Sequence, residues 1–318
     1  MTTYIIRRLI QALIVLILVT LIVFFAMRYL PGDPILMYLG AGQLTTITQE
    51  QIDEARHEFG LDKPVIIQYF DWVGGLFHGD FGTSITQQIS PGALIKQGLP
   101  VTLNLAIISF LISLIIGIPA GIICAIRRGT WIDTTVTVLA NIGITIPIFW
   151  LGTMLIYVFA LQVHFLPVQG YTSPFTDLAK NIRQTAMPIF CLAIFPISSI
   201  ARQTRSSMLE VMRQDYVRTA WSKGLRERLV VARHALKNSM IPVVTLSGVG
   251  LAAILGGSVL IETVFNIQGV GMILFRAISS HDYPVVQGFI LVIAIFVLLI
   301  NMLIDVSYGW LDPRIRYG

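Results

Sequence analysis

Few side chains in this sequence are placed for catalysis. His57 and Glu58 begin the H-E-x-x-H pattern of a zinc protease, but Leu61 stands where the second histidine belongs. The run Gly82-Thr83-Ser84 begins like a nucleophile elbow, yet Thr86 stands where its final glycine belongs. The phosphate-binding pattern G-x-x-x-x-G-K-[ST] is absent, as is any Gly-Lys dipeptide. The remaining histidines show no ligand spacing. We therefore predict no enzyme and no metal site, and we do not expect this chain to hydrolyse ATP.

A basic segment from Arg202 to Lys237 is the next place where side chains could act. It carries nine basic and three acidic residues. A helical stripe within it comprises Met208, Leu209, Met212, Tyr216 and Ala220. Gly224 stands where such a helix would stop. The pattern predicts an amphipathic helix, which would bind either anionic lipid headgroups or a groove on a partner protein.

The elements that would position these residues are long apolar runs. Of the 318 residues 55% are hydrophobic and only 12% charged, whereas soluble proteins carry roughly a quarter charged residues. This composition excludes a water-soluble globule, a disordered chain and a coiled coil. Six stretches are long enough to cross a bilayer: Leu9 to Met27, Val101 to Ala125, Thr134 to Leu161, the segment between Arg183 and Arg202, Met240 to Ile261, and Val285 to Ile304. We expect an all-α, polytopic membrane protein with six transmembrane helices.

The distribution of Lys and Arg predicts the orientation. With the N-terminus inside, 15 of the 22 basic residues fall in cytoplasmic segments, as membrane proteins prefer. Both termini are then cytoplasmic, and the first span is expected to remain uncleaved. The net charge of +5 is thus an orientation signal, and we expect membrane lipid and no nucleic acid as a partner.

The loop from Pro31 to Pro100 is too long for a simple connection. It holds eight acidic and three basic residues, which predicts an acidic extracytoplasmic subdomain. Thr48 is a plausible N-cap with Gln51 three residues later, and Gly60 is a plausible helix stop. The subdomain is either a lid or a docking surface for an external protein. The predicted division is a transmembrane helix at 1–30, this subdomain at 31–100 and a five-helix core at 101–318.

Two features inside the apolar runs bear on transport. Glu262, at the outer end of the fifth run, is a candidate for meeting a cationic group on a substrate pathway; the favoured alternative is an acid that snorkels to the interface or is fixed by a neighbour. Small residues recur at four-residue spacing: Gly117 and Gly121, then Gly248, Ala252 and Gly256. Such spacing lets helices approach closely, either within one bundle or against a second membrane subunit.

The residue order of the basic segment favours one of the two interpretations of its amphipathic helix, binding to a partner protein. Arg218-Thr219-Ala220, then Gly224, with Ile241-Pro242 downstream, resembles the EAA loop of membrane subunits of ATP-binding-cassette (ABC) importers. Its form is typical of the dipeptide, oligopeptide, nickel and glutathione branch, and the resemblance is closest to the B-type dipeptide permease. The stretches that resemble this branch extend over roughly residues 4 to 316: Leu30-Pro31-Gly32-Asp33-Pro34, Gly60-Leu61-Asp62-Lys63-Pro64, Gly79-Asp80-Phe81-Gly82-Thr83-Ser84, Pro147-Ile148-Phe149-Trp150, Thr204-Arg205-Ser206-Ser207-Met208-Leu209-Glu210, Arg233-His234-Ala235-Leu236-Lys237-Asn238, Asp282-Tyr283-Pro284-Val285-Val286-Gln287-Gly288 and Asp312-Pro313-Arg314-Ile315-Arg316.

The resemblance implies a type I ABC importer transmembrane domain with its EAA loop at 202–238. In this family the loop forms a coupling helix that fits a cleft on the cytosolic ATPase. The implied contact residues are Asp215, Tyr216, Arg218, Thr219, Ala220, Lys223 and Gly224. It also implies a bacterial cytoplasmic (inner) membrane location and several partners: a homologous C-type permease subunit, two ATPases that bind ATP and Mg²⁺, and an extracytoplasmic substrate-binding protein.

The expected function is uptake of di- and oligopeptides as a non-catalytic, binding-protein-dependent permease. Nickel and glutathione remain alternative substrates within the branch. An ATP-independent secondary transporter or channel is the alternative from another class, and a purely structural scaffold is a third. Transport that requires ATP would separate the first class from the second.

Overall fold

The computed structural model describes residues 2–40 and 48–311. In these residues every regular element is helical. The α-helices are α1 Thr2–Tyr29, α2 Pro34–Gly40, α3 Gln49–Glu58, α4 Val65–Phe77, α5 Pro91–Ile126, α6 Trp131–Thr145, α7 Ile148–Leu155, α8 Leu178–Val211, α9 Asp215–Ser222, α10 Glu227–Leu229, α11 Leu236–Val264, α12 Val270–Ser279 and α13 Tyr283–Leu311. Two π-helical segments follow α7 and α10, at Ile156–Gln162 and Val230–Ala235. The C-terminal motif at 312–316, with Arg314 and Arg316, lies outside the described residues.

Five of these helices are long and apolar enough to cross a membrane: Ile6–Tyr29 of α1, then α5, α8 and α11, and Tyr283–Ile304 of α13. The third predicted span, 134–161, is not one straight helix. Its two halves, Trp131–Thr145 and Ile148–Gln162, are bent by 102°. Pro147 lacks an N–H and disfavours helical geometry at Ile146, whose ψ is 127°. The expected count of six spans holds when this bent pair counts as one.

Helix α8 is longer than the sequence suggested. The predicted apolar segment lies only between Arg183 and Arg202, whereas α8 runs for 34 residues with Pro188 and Pro196 inside it. Proline is tolerated within a packed membrane helix because neighbouring groups satisfy the backbone that it frees. Helices α6, α7 and α11 pack on α8, and α8 is the most buried of the candidate spans.

Glycines set the closest approach of α5 to α8. A Cβ atom at Gly121 would lie 2.5 Å from the Ala201 carbonyl oxygen, and one at Gly117 would lie 2.9 Å from that of Ile197. Only glycine fits without displacing α8. This pair therefore serves packing within the chain. Gly256, by contrast, has no atom of the described residues within 4 Å of an added Cβ.

The chain divides into two compact units. The first comprises Met1–Thr102 and Gln268–Leu298, and the second comprises Leu103–Ile267 and Leu299–Gly318. The predicted division at 1–30, 31–100 and 101–318 followed chain order, whereas packing groups 268–298 with the N-terminal part. The core of the first unit includes Met27, Leu94, Ile95, Val286 and Phe289.

The short helix α3 begins and ends as predicted. The Thr48 hydroxyl accepts the Gln51 N–H, and the Gln51 side chain accepts the Thr48 N–H, which completes a capping box. Gly60 lies just past the end with φ +63°, a left-handed conformation that glycine adopts without penalty. Local capping chemistry therefore fixes both boundaries of α3.

Candidate functional site

The predicted amphipathic stripe is divided between two helices. Helix α8 ends at Val211, a turn occupies 212–214, and α9 begins at Asp215. Met208 packs with Ala125, Val231 and Ala235, whereas Ala220 belongs to a separate cluster. The prediction of one continuous helix was therefore wrong, because a turn redirects the chain between two regions of similar periodicity.

Helix α9 is anchored on one face only. Val217 and Ala220 are buried and pack against Val230 of the following π-helical segment, with Leu225 beside them. Val217 and Ala220 are three residues apart, which places their side chains on one face of the helix. Of the seven predicted contact residues, Ala220 alone is buried, so its side chain holds α9 in place while the other six lie at the surface.

The solvent-exposed face of α9 is polar. The Asp215 side chain is 98% exposed, and its Oδ1 lies 3.6 Å from Nη1 of Arg218. A pair so exposed contributes little to stability. The Thr219 hydroxyl donates to the Asp215 carbonyl at 2.9 Å, and Lys223 caps the C-terminus. These side chains are available to a partner at little cost to the fold.

Two aromatic residues flank the polar face. The Tyr216 hydroxyl accepts a hydrogen bond from Nδ2 of Asn238 at 2.9 Å, which links α9 to the start of α11. Trp221 is 44% exposed and was missed by the sequence analysis. A tryptophan beside the polar residues Ser222 and Lys223 was the available signal, because exposed tryptophan often anchors a protein interface.

Gly224 ends the helix as predicted. Its φ is +74°, and no atom of the described residues lies within 4 Å of an added Cβ. Its N–H donates to the Trp221 carbonyl at 2.9 Å. The glycine is therefore required by backbone conformation, and the space above it is open.

A partly buried ion pair holds α8 near the point where it leads into α9. Nε of Arg205 donates to Oδ1 of Asp133 at 2.6 Å, and Nη2 donates to Oδ2 at 2.9 Å. The Gly129 N–H also donates to Oδ2, at 3.0 Å. This two-pronged pair joins α6 to α8. The sequence analysis did not anticipate it, because the partners are 72 residues apart.

In the first unit, two of the quoted motifs meet at a buried carboxylate. Asp282 accepts the Ser84 hydroxyl at 2.5 Å and the Thr86 hydroxyl at 2.7 Å. The backbone N–H groups of Ile85 and Thr86 donate to it at 3.2 and 3.1 Å. An added Cβ at Gly82 would lie 3.6 Å from Pro284. The Gly79–Ser84 motif and the Asp282–Gly288 motif thus form one structural site.

A second pair ties the turn after α1 to α3. Nη2 of Arg56 donates to Oδ2 of Asp33 at 2.6 Å, and the Ile35 N–H donates to Oδ1 at 2.9 Å. Partial burial would raise the pKa of Asp33. The hydrogen bonds and charge of Arg56, with the backbone N–H groups, outweigh it and hold that pKa below its ordinary value of 3.8.

Glu262 lies in α11 with its side chain fully buried. Its backbone carbonyl accepts the Ile267 N–H at 2.8 Å, just past the end of the helix. No surface of Glu262 is accessible in this conformation. Its role on a substrate pathway stays a prediction. Among the described residues no group of three His, Cys, Asp or Glu side chains is placed to hold a metal ion.

Two family models match the chain. Residues 117–317 match the binding-protein-dependent transport system inner membrane component, and residues 1–106 match the N-terminal part of the membrane component of such systems. The chain belongs to this family of transport permeases. With several apolar helices of spanning length, the permease is a multi-pass membrane protein.

Similar proteins extend the match over nearly the whole length. The Di/tripeptide transport system permease protein DppB of Pseudomonas aeruginosa (strain UCBPP-PA14) is 38% identical, with 94% of each chain covered. A protein of Brucella abortus (strain 2308) named for a peptide transport system permease is 40% identical over 100% of both chains. The predicted family is confirmed.

A solved structure supports the fold. The MetNI methionine ABC transporter, in inward facing conformations, matches with a TM-score of 0.57 at 20% identity, covering 69% of the permease and 96% of that chain. This likeness confirms the expected fold class, the transmembrane domain of a type I ABC importer.

Proposed function

We propose that the permease forms the membrane pathway of an ATP-driven, binding-protein-dependent importer of short peptides. The observation that carries the coupling part of this proposal is α9, a helix anchored by Val217 and Ala220 whose opposite face is exposed. The peptide part is supported by the relatives, which are named for peptide and di/tripeptide transport.

The proposed complex contains a homologous C-type permease subunit, two cytosolic ABC ATPases and an extracytoplasmic substrate-binding protein. The ATPases supply the sites for ATP and Mg²⁺. The termini and α9 face the cytoplasm, and the segment 31–100 faces outward, as the distribution of basic residues predicts. The membrane is the bacterial inner membrane.

In this proposal α9 transmits motion from the ATPase. Closure of the ATPases on ATP displaces α9. The buried face of α9 is packed on the segment leading into α11, and the neighbouring helix α8 is fixed to α6 by Arg205 and Asp133. A rigid helix at such a junction passes the displacement to both long helices. Alternation also requires each state to bind something preferentially, and ATP and the loaded receptor supply that bias.

Substitution of Gly224 tests the coupling. We expect Gly224→Asp to abolish substrate-stimulated ATP hydrolysis in the reconstituted complex, because a charged side chain then fills the open space at the contact. Aspartate is one of the residues that tolerate positive φ best, so the subunit should still insert. Gly79→Asp is the matched control, since Gly79 has φ +76° and equally open surroundings and lies in neither α9 nor its contacts. Normal stimulation in Gly224→Asp would contradict the proposed contact.

Uptake into vesicles tests the function as a whole. We expect labelled dipeptide to accumulate only when ATP, the ATPases and the loaded receptor are all present. Accumulation without ATP would establish a secondary transporter instead. Uptake of nickel or glutathione, with no uptake of peptide, would assign the alternative substrates of the same branch.

A further inference from the structure

The first unit contains a cavity of about 360 Å³, within the range of small-molecule sites. Its lining comes from the outer end of α1, from α4, from the loops around residues 58–63 and 80–85, and from the start of α13. The residues assigned to coupling and the Asp33–Arg56 pair do not line this cavity. Residues of the quoted motifs at 60–64, 79–84 and 282–288 do line it. The cavity is therefore a separate feature of the extracytoplasmic part.

Arg28 supplies a positive charge to this cavity without a carboxylate partner. Its Nε and Nη2 donate to Oε1 of Gln68 at 3.1 and 2.6 Å, and Nη1 donates to the Phe24 carbonyl at 3.2 Å. The guanidinium carbon lies 3.4 Å from the centre of the Phe24 ring. Within residues 2–40 and 48–311, Arg28 forms no ion pair. A half-buried guanidinium held by neutral groups keeps its charge available to an anion.

Two further N–H donors on the cavity wall have no acceptor. Nε1 of Trp72 and Nε2 of Gln287 are buried and lack a hydrogen-bond partner among the described residues. Gln287 is only 3% exposed. Native proteins rarely leave buried donors unsatisfied, and such groups mark places where a water, ion or ligand belongs. Both side chains line the same cavity as Arg28.

The lining also carries negative charge. Glu58, Asp71 and Asp80 all contribute to it. Asp71 is bound by Nζ of Lys63 at 2.7 Å, whereas Glu58 is exposed. A cavity with one unpaired cation, two unused N–H donors and several carboxylates suits a ligand that bears both charges.

We propose that this cavity binds a small zwitterion of the dipeptide class. The ligand's carboxylate lies at Arg28, Trp72 and Gln287, and its ammonium group lies toward the acidic side chains. A lipid headgroup is disfavoured, because the lining carries several charged side chains, including Lys63 and Asp71, which suit an acyl chain poorly. The choice of a peptide as ligand rests on the proposed function. The cavity places the bound peptide on the predicted extracytoplasmic part of the chain.

Direct binding to the assembled complex tests the site. The complex is placed without receptor in nanodiscs of phosphatidylglycerol, and equilibrium dialysis measures binding of radiolabelled alanyl-alanine. We expect binding that weakens at least tenfold for alanyl-alanine amide, which lacks the carboxylate, and for N-acetyl-alanyl-alanine, which lacks the ammonium group. These two probes need no variant of the protein.

Variants then assign the binding to this cavity. Trp72→Phe keeps the ring but removes the N–H, and it should weaken binding severalfold without lowering the melting temperature of the ligand-free complex. Gln287→Leu should do the same, and Arg28→Gln should weaken binding at least tenfold. Trp131→Phe is the matched control, because Trp131 is 76% exposed and lies outside the cavity lining.

The outcomes separate this proposal from the proposed function. Unchanged binding in Trp72→Phe and Arg28→Gln, equal binding of the amide, or displacement of the peptide by phosphatidylethanolamine would each overturn the cavity site. Absence of peptide binding in a complex that retains ATP-dependent uptake would also overturn it, while the proposed function would stand. Uptake that does not depend on ATP would overturn the function and leave the dialysis result to decide the site.

Discussion

Asp33 uses one carboxylate for two purposes. One oxygen accepts the Ile35 N–H at the start of α2, and the other is bound by Arg56 of α3. It therefore caps one helix and fixes a second against it. Capping and ion pairing act on the same charge, so both depend on the ionised state of Asp33.

Removing this charge should give a pH-dependent loss of stability. At pH 7 we expect Asp33→Asn to lower the free energy of unfolding by about 0.5–1 kcal/mol, because the pair is partly exposed and screened. The pKa of Asp33 is lower in the folded state than its ordinary 3.8, so its contribution is present above the unfolded pKa and disappears as the pH falls through the folded one. Thermal unfolding from pH 7 to pH 3 measures it.

The Arg56→Gln variant provides the control. If the pair acts as described, Asp33→Asn and Arg56→Gln should lose less together than the sum of their separate losses. Fully additive losses, or a difference between wild type and Asp33→Asn that persists below the folded pKa, would contradict this assignment.

At single residues, the sequence was most reliable where partners are close in the chain. Thr48, Gln51 and Gly60 were predicted together because a capping box and a left-handed stop involve only neighbours. Asp282 and its partner Ser84 were quoted in separate motifs, yet nothing in the sequence showed that they meet across 198 residues. Pairing between residues so far apart in the sequence depends on the fold and not on the local sequence.

Among the elements, α5 and α8 form the contact most sensitive to volume. We expect Gly121→Ala to destabilise the permease by about 1–3 kcal/mol, because the new methyl group would overlap the backbone of α8 and force a shift. The melting temperature of the purified protein in detergent measures the effect.

Gly256→Ala is the matched substitution for this test. It also replaces a glycine within a long apolar helix, but it meets no atom of the described residues within 4 Å. Its only expected effect is the gain of up to about 1 kcal/mol from better helix propensity. Equal melting temperatures for the two variants would rule out close packing as the role of Gly121.

Apolar periodicity predicted where helices lie better than how they are oriented. The third span was located correctly within Thr134 to Leu161, but its bend of 102° depends on the single residue Pro147. Similarly, the stripe from Met208 to Ala220 predicted burial on both sides of 212–214 and concealed the turn between them. Periodicity reports which side chains are buried and carries no information on the direction of the axis.

For the whole molecule, the predicted orientation is open to a direct test. Cys124 and Cys191 are both buried, so the natural chain should react poorly with a membrane-impermeant maleimide. We expect Phe175→Cys, at a position 100% exposed, to be labelled from outside intact cells, and Lys223→Cys to be labelled only after the membrane is opened. Labelling of both positions from the same side would contradict the six-span orientation.

The charge distribution and the sequence motifs were enough to predict the class of protein, because neither requires knowledge of which residues are in contact. The grouping of residues 268–298 with the N-terminal part did not follow from them. It arises from pairings such as the Val270 N–H with the Thr102 hydroxyl at 2.8 Å. Sequence order alone places these residues at opposite ends of the chain.

The Asp282 site also has a consequence for biosynthesis. At about 5–20 residues per second, a ribosome takes on the order of 10–40 seconds to reach Asp282 after Ser84. Until then the turn at 84–86 has been translated without the carboxylate that orders its hydroxyl and amide groups. The turn at 84–86 therefore completes its hydrogen bonds only after Asp282 has been made, although its own residues are synthesised far earlier.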